Sequence, residues 1–420
     1  MMKLVAILPA ILLLLAAPLY AASPLTLDAA LERALKNHPQ LVEARQNLVG
    51  SEARTGQALA DYYPQVSIAA DWSKGSSFLT PIEAVKQTEV QTDVLSLRQT
   101  VYDFGRTKGR VEAARGDNEA AAQTLAVTRQ DIAFRVKAAF YLLLAAEKQV
   151  AAVKETVRVR EDVYRQAEEF FREGTRAKVD VTRAEANMYE AKTALIRAEN
   201  NLELARVELA NAMGVPSLET DTLMEPVAPI GGEPELGAVR QDALAGRAEL
   251  KRLDAQKNSA VAILKTARSG YLPILSGTAS VGYADRAFPP HGTVWGVGLN
   301  LTMPLFSGFS TVQQEREAVA SLKAVEARQE DQRLQVLRDV ESSWLGVREA
   351  TARIASTEKE VAAAVENRAL AMGRYQEGVG NIIEVTDAQS QALDAKTAHI
   401  QAVYDYFTAS ARLDRAMGRE

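Results

Sequence analysis

The chain has 420 residues, a formal net charge of −5 and no cysteine. That length allows a large core or more than one domain, the charge excludes a basic field for nucleic acid, and the absent thiols exclude disulfides, thiolate metal sites, thiol catalysis and lipid attachment through Cys. Aromatic residues are only 6% while Ala, Leu, Glu, Arg and Gln dominate, a balance that favours long helices and coiled coils.

Residues 1–22 read as a secretory signal peptide. Lys3 supplies the positive region, Leu4 to Ala17 the apolar run, and Ala21, Ala22 and Ser23 the small residues of a cleavage zone. Leu19 or Tyr20 would stand three before the cut, so a retained anchor helix is the alternative. No other stretch approaches the roughly 18 apolar residues of a spanning helix.

A first repeat is predicted over 23–214. It opens with a helix over about 25–61, and "DYYPQVSIAADW" then breaks the helical pattern. Two strands follow, about 65–73 and 93–102. Val66, Ile68, Ala70 and Trp72 alternate with polar or small residues, as do Leu95, Leu97 and Val101. A helix over about 107–172 carries Leu125, Ile132, Val136, Leu143, Val150, Val153, Val157 and Tyr164 at heptad positions, with Arg129 and Arg160 the charged interruptions. "REGTRAKVDV" breaks it at Gly174, which fits the left-handed position that ends a helix. A helix over about 178–213 resumes the heptads with Ala at alternate seam positions. Residues 215–235, with Pro216, Pro226, Pro229 and Pro234, read as an extended linker.

The second repeat, 236–418, has the same order: helix, strands about 274–283 and 294–303, long helix about 310–376, helix about 382–417. Tyr62 and Pro64 pair with Tyr271 and Pro273 about 209 positions on. Beyond the strands the offset becomes about 204, so that "FREGTRAKVDVTRAEA" falls on "YQEGVGNIIEVTDAQS" and Gly174 on Gly378. Each long helix would span roughly 100 Å at 1.5 Å per residue. The strands have the length of a transmembrane β-strand, and four of them cannot close a barrel, so in a bilayer several chains must complete it. The alternative is a small soluble sheet packed on a helix. His38, His291 and His399 are scattered, with His399 on a heptad seam, and no metal spacing, phosphate loop or nucleophile triad is present. Neither enzymatic chemistry nor a cofactor is expected. Trp72 and Trp295 are candidates for membrane-belt anchors or for simple strand packing.

"LTLDAALERALKNHPQL", "ADYYPQVSI" with "GYLPILS", "VYDFG" with "PLFSG", and the two "EG" turns together resemble the TolC-like outer-membrane efflux proteins over nearly the whole mature length. The resemblance implies a mainly α fold with a membrane β-barrel: a homotrimer with a twelve-stranded barrel on a coiled-coil α-helical tunnel. It implies a chain in the outer membrane of a Gram-negative bacterium, mostly periplasmic. Its function would be the exit duct of a tripartite efflux or type I secretion system. The partners would be a periplasmic adaptor (membrane fusion) protein, an inner-membrane transporter of RND, ABC or MFS type, and outer-membrane lipid, with no nucleic acid. In the family the hairpin tips contact the adaptor and close the tunnel, which carries over to Gly174, Thr175, Arg176, Asp180, Val181, Tyr375, Gly378, Glu384, Val385 and Asp387. Tyr375 matches a gate tyrosine whose usual arginine partner is replaced by Gly380, leaving Arg176 of the other tip to serve instead. Glu384 and Asp387 match lumen-facing acidic positions. Threefold repetition makes them two rings of three carboxylates favouring cations. Alternatively they complement the helix dipole. Tyr62, Pro64, Tyr271 and Pro273 mark where the chain enters the barrel. The competing class is a periplasmic coiled-coil adaptor or scaffold without a pore.

Overall fold

The structure is a computed structural model that describes residues 24–79, 84–218, 222–225 and 234–420. The segment read as a signal peptide, and parts of the 215–235 linker, lie outside the described residues. Helix α1 (Leu27–Asn37) begins at Thr26, whose hydroxyl accepts the Ala29 N–H at 3.2 Å. Helix α2 (Pro39–Ala60) follows after a bend at His38.

That bend corrects the expectation of one helix over 25–61. Pro39 has no N–H to give to a preceding turn, and its ring drives His38 out of the helical region to ψ 129. At the first position of α2 the missing donor costs nothing. The second half bends at the matching place without a proline: Arg247, at ψ 118, separates α5 (Leu236–Gly246) from α6 (Ala248–Ser269).

Strands β1 (Gln65–Leu79) and β2 (Ala84–Tyr102) run further than the alternation predicted, and β3 (Ile274–Asp285) and β4 (Gly292–Thr302) complete one antiparallel sheet in the order β1-β2-β3-β4. Helices α3 (Arg106–Arg172) and α4 (Lys178–Met213) leave β2, and α7 (Ser310–Gln376) and α8 (Ile382–Met417) leave β4. Helix lengths match across the two halves, at 11, 22, 67 and 36 residues. Neither 67-residue helix contains proline, so nothing interrupts its hydrogen-bond ladder, and each extends about 100 Å.

The elements form three tiers, each four elements wide. The first is the sheet. Below it the helices lie in the order α2, α3, α6, α7. Here α3 and α6 approach so closely that a Cβ on Gly116 would come within 2.8 Å of the Ser259 nitrogen. In the last tier the order is α4, α3, α8, α7. The main apolar core sits between the two helical tiers, where Phe140, Leu143, Leu144, Leu209, Val340 and Phe407 pack together with α1 and α5. A smaller cluster closes the far end, built from Val163, Ala167, Ala184, Tyr375, Ile382 and Val385.

Candidate functional site: hairpin tips and the sheet

At the first tip α3 stops where Gly174 turns left-handed at φ +73. The Phe170 carbonyl accepts from the Thr175 N–H at 2.9 Å, from the Thr175 hydroxyl at 2.9 Å and from the Arg176 N–H at 3.3 Å, so the orphan end of the helix is satisfied locally. The second tip repeats the geometry. Gly378 has φ +79, and the Arg374 carbonyl accepts from Val379 at 3.0 Å and Gly380 at 2.8 Å. Asn381 then caps α8 by accepting the Glu384 N–H at 2.9 Å.

The two tips touch through Arg176. Its guanidinium donates to the Gly380 carbonyl at 2.8 Å and lies over the Tyr375 ring at 5.2 Å. A side chain at position 380 would press to 3.0 Å against Arg374 and Tyr375, so glycine leaves the carbonyl open to the arginine. Tyr375 is fully buried, meets Phe170 edge-on at 5.9 Å, and its hydroxyl has no hydrogen-bond partner within the protomer. Burial pushes its phenol above the usual tyrosine value, Asp180 adds to the shift and Arg176 opposes it. Val385 is buried beside it and Val181 partly so. A partner would therefore reach Tyr375 and Val385 only by parting the helices. Gly174, Thr175, Gly378, Glu384 and Asp387 are exposed, and the last two share one face of α8. Glu384 pairs with Arg374 at 3.4 Å.

At the other end of the molecule the register lines up side chains across all four strands. Ile68, Leu95, Val281 and Trp295 stand opposite one another, and so do Val66, Leu97, Ala279 and Val297. The reverse face carries Ser67, Ser96, Ser280 and Gly296, then Gln65, Arg98, Thr278 and Gly298. Across these rows one face is apolar and the other polar or small, as lipid and an aqueous lumen require, and the apolar face ends where Asp93 stands between Ala70 and Tyr283. Pro64 and Pro273 each stand one residue before a strand begins. The exposed Tyr62 and Tyr271 precede them, with the Tyr62 carbonyl accepting from Gln99 and the Tyr271 hydroxyl meeting Glu315 at 3.2 Å.

The family model described as outer membrane efflux protein matches residues 30–215 and 239–419 of this chain. The chain belongs to the outer membrane efflux protein family. Protein CyaE of Bordetella pertussis is 26% identical over 386 residues, covering 90% of this chain and 80% of that protein. Outer membrane protein TolC of Salmonella enteritidis is 23% identical over 404 residues, covering 92% and 80%. Among solved structures the outer-membrane channel OprN superposes with a TM-score of 0.84 at 20% identity, over 94% of this chain and 90% of that one. This efflux protein is accordingly an outer-membrane protein, and it shares the fold of the OprN channel.

One group in the efflux protein's helices was not singled out as functional from sequence. Arg160 interrupts the apolar stripe of α3, yet it is only 5% exposed. It donates to the Asn187 carbonyl at 2.9 Å, to Glu190 at 2.8 Å and to the Ser390 hydroxyl at 3.1 Å. The Asn187 amide also reaches Thr386 at 3.2 Å. A polar layer thus ties α3 to α4 and α8 above the tips. The charge at a seam position was its visible signal.

Proposed function

We propose that the chain is one protomer of a homotrimeric exit duct, open to the exterior through a twelve-stranded barrel and closed at its periplasmic tips. The observation that carries this reading is the alignment of open edges. On one side every tier ends in an unpaired element, β1, then α2, then α4; on the other it ends in β4 and then α7 twice. A head-to-tail ring joins β4 to the next copy's β1 and α7 to its α2 and α4, leaving no edge exposed in lipid. At ~4.8 Å between strands and ~40° of tilt, twelve strands give a backbone diameter of roughly 24 Å.

The tips are the contact with a periplasmic adaptor, which links the duct to an inner-membrane transporter of RND, ABC or MFS type. Energy comes from that transporter, and the chain performs no chemistry. Arg176, Tyr375 and Gly380 form the latch between hairpins, and Glu384 and Asp387 line the narrow end as carboxylate rings that favour cations. Purified protein reconstituted in planar bilayers is expected to conduct and to run as a trimer by native mass spectrometry. A monomer that washes from membranes in urea and never conducts would instead support the scaffold reading.

A further inference from the structure

Where all four strands are paired, the polar face of the sheet carries two ionisable side chains among the described residues, Arg98 and Asp71. They stand at opposite ends of that face. Arg98 shares a row with Gln65, Thr278 and Gly298 near the helices, and Asp71 shares one with Thr92, Ala284 and Gly292 near the far rim. Six residues of β1 separate the two rows, roughly 20 Å at about 3.3 Å per residue.

Arg98 is exposed and, among the described residues, has neither a hydrogen-bond nor an ion-pair partner. Its cross-strand neighbours supply none. Thr278 is uncharged, and the Gln65 amide is turned away to donate to the Ala60 carbonyl at 3.1 Å. Opposite charges facing across a sheet stabilise it, and this arginine has no such charge to face. Nothing covers it either: its own row ends in Gly298, and the next holds only Ser67, Ser96, Ser280 and Gly296. A long cation left bare among small side chains contributes nothing to the packing of the protomer, but it is free to meet a solute.

We propose that Arg98 forms a ring of three guanidinium groups, one per protomer, around the barrel lumen, and that the ring binds the polyvalent oxyanion groups of passing substrates, phosphates and polycarboxylates. The inference rests on the channel reading and deepens it by naming a class of cargo. A guanidinium presents paired N–H donors in the geometry of an oxyanion, and the neighbouring hydroxyls add donors of their own. Rings of arginine in a pore favour anions. Screening sets their reach. In a barrel roughly 24 Å wide at the backbone, a charge projecting inward lies within about one Debye length of the axis at ~0.1 M salt, where that length is ~10 Å. At ~1 M the length falls to ~3 Å and the field retreats to the wall. Glu384 and Asp387 cannot cancel the ring, because α7 alone sets about 100 Å between the sheet and the tips.

The test uses the purified trimer in planar bilayers, with tripolyphosphate as the probe. Added at the barrel mouth in about 0.1 M KCl, it is expected to block the native current and to be at least about tenfold weaker on Arg98→Gln, the difference vanishing in about 1 M KCl. Reversal potentials in a KCl gradient should move towards cation preference in Arg98→Gln, and further in Arg98→Glu. The chain has no cysteine, so Arg98→Cys can be given either charge in place. A trimethylammonium thiosulfonate reagent should restore the block and a sulfonated one should not. Equal block in the native channel and in a conducting Arg98→Gln, or a cysteine that neither water-borne reagent reaches, would overturn the inference and leave the channel reading standing. A native protein that never conducts would overturn the channel reading, and this inference with it.

Discussion

Arg176 joins hairpins that are about 200 residues apart in the chain, with one hydrogen bond at 2.8 Å and one ring contact at 5.2 Å. Together these are worth about 2–3 kcal/mol, which on the proposed gate reading would hold a closed tip without locking it. Arg176→Ala is expected to raise single-channel conductance or open probability severalfold, and Arg176→Lys to do so less, because a lysine keeps the charge but lacks the flat face that stacks on Tyr375. Unchanged conductance in both variants would remove Arg176 from the latch. His38 is the other residue with a specific consequence. It is 6% exposed, and its Nδ1 accepts the Gln40 N–H at 3.2 Å to start α2. Burial lowers its pKa below the usual 6.5, Arg135 lowers it further, and a hydrogen bond to the Asn211 backbone opposes them. Protonation would also put a donor where the cap needs an acceptor. The unfolded chain therefore binds this proton more readily, and stability, complete above about 6.5, declines as pH falls from there towards the lower folded value. Thermal unfolding in detergent should show a drop between pH 7.5 and 5.5 that shrinks in His38→Asn, which caps the helix without titrating.

The element scale shows what could be read from sequence and what could not. Heptads exposed the long helices because one stripe of Ile132, Val136, Leu143 and Val150 is buried along α3. Alternation exposed the strands only where one face is apolar. Past Trp72 the β1–β2 ribbon runs on to Leu79, with no apolar–polar alternation in the sequence to announce it. The bend at His38 has a local signal in Pro39 that the expectation of one helix over 25–61 passes over, whereas the bend at Arg247 has none and is legible only through its offset from His38. Gly174 and Gly378 identify the tips by themselves, but the meeting of Arg176 with Gly380 depends on how two hairpins dock, which no local pattern encodes. Arg160 is the element-scale test of that docking. It bonds α4 and α8 from α3, and its partner Glu190 is largely exposed, so deleting the arginine strands no buried carboxylate. Arg160→Met fills similar volume while losing the hydrogen bonds of a charged donor. It is expected to cost about 1–3 kcal/mol, seen as a lower unfolding midpoint and as faster amide exchange in α8 near Ser390 than near Tyr404. Exchange that rises uniformly along α8 would mean that the layer does not specifically hold this contact.

At the scale of the whole molecule, the decisive feature is the apolar surface that one copy leaves uncovered. Helix α4 buries Ala184, Met188, Ala191, Ala198 and Ala205 against α3, but Tyr189, Ile196, Leu204 and Val207 stand exposed on another face. Helix α7, at the opposite edge, exposes Leu334, Leu345 and Leu370. In the head-to-tail ring proposed above, residues of this kind at helical spacing on the two lateral edges would meet each other, and none of those named is buried within one protomer. Burying a large aliphatic side chain contributes about 1.5–3 kcal/mol, and a ring of three repeats each contact at three interfaces. A carboxylate introduced on the edge must be desolvated three times in the same assembly. Ile196→Asp is therefore expected to convert the trimer to monomers in native mass spectrometry and to abolish conductance, while leaving the helical content of the monomer intact by circular dichroism. Lys192→Asp, one turn away on α4, removes a pair with Glu161 at 2.9 Å and a cation contact over the Tyr189 ring at 5.6 Å, each worth about 1 kcal/mol or less at an exposed site. That variant should remain trimeric. Equal loss of trimer in both would attribute the effect to added negative charge, and no loss in either would move the interface away from α4.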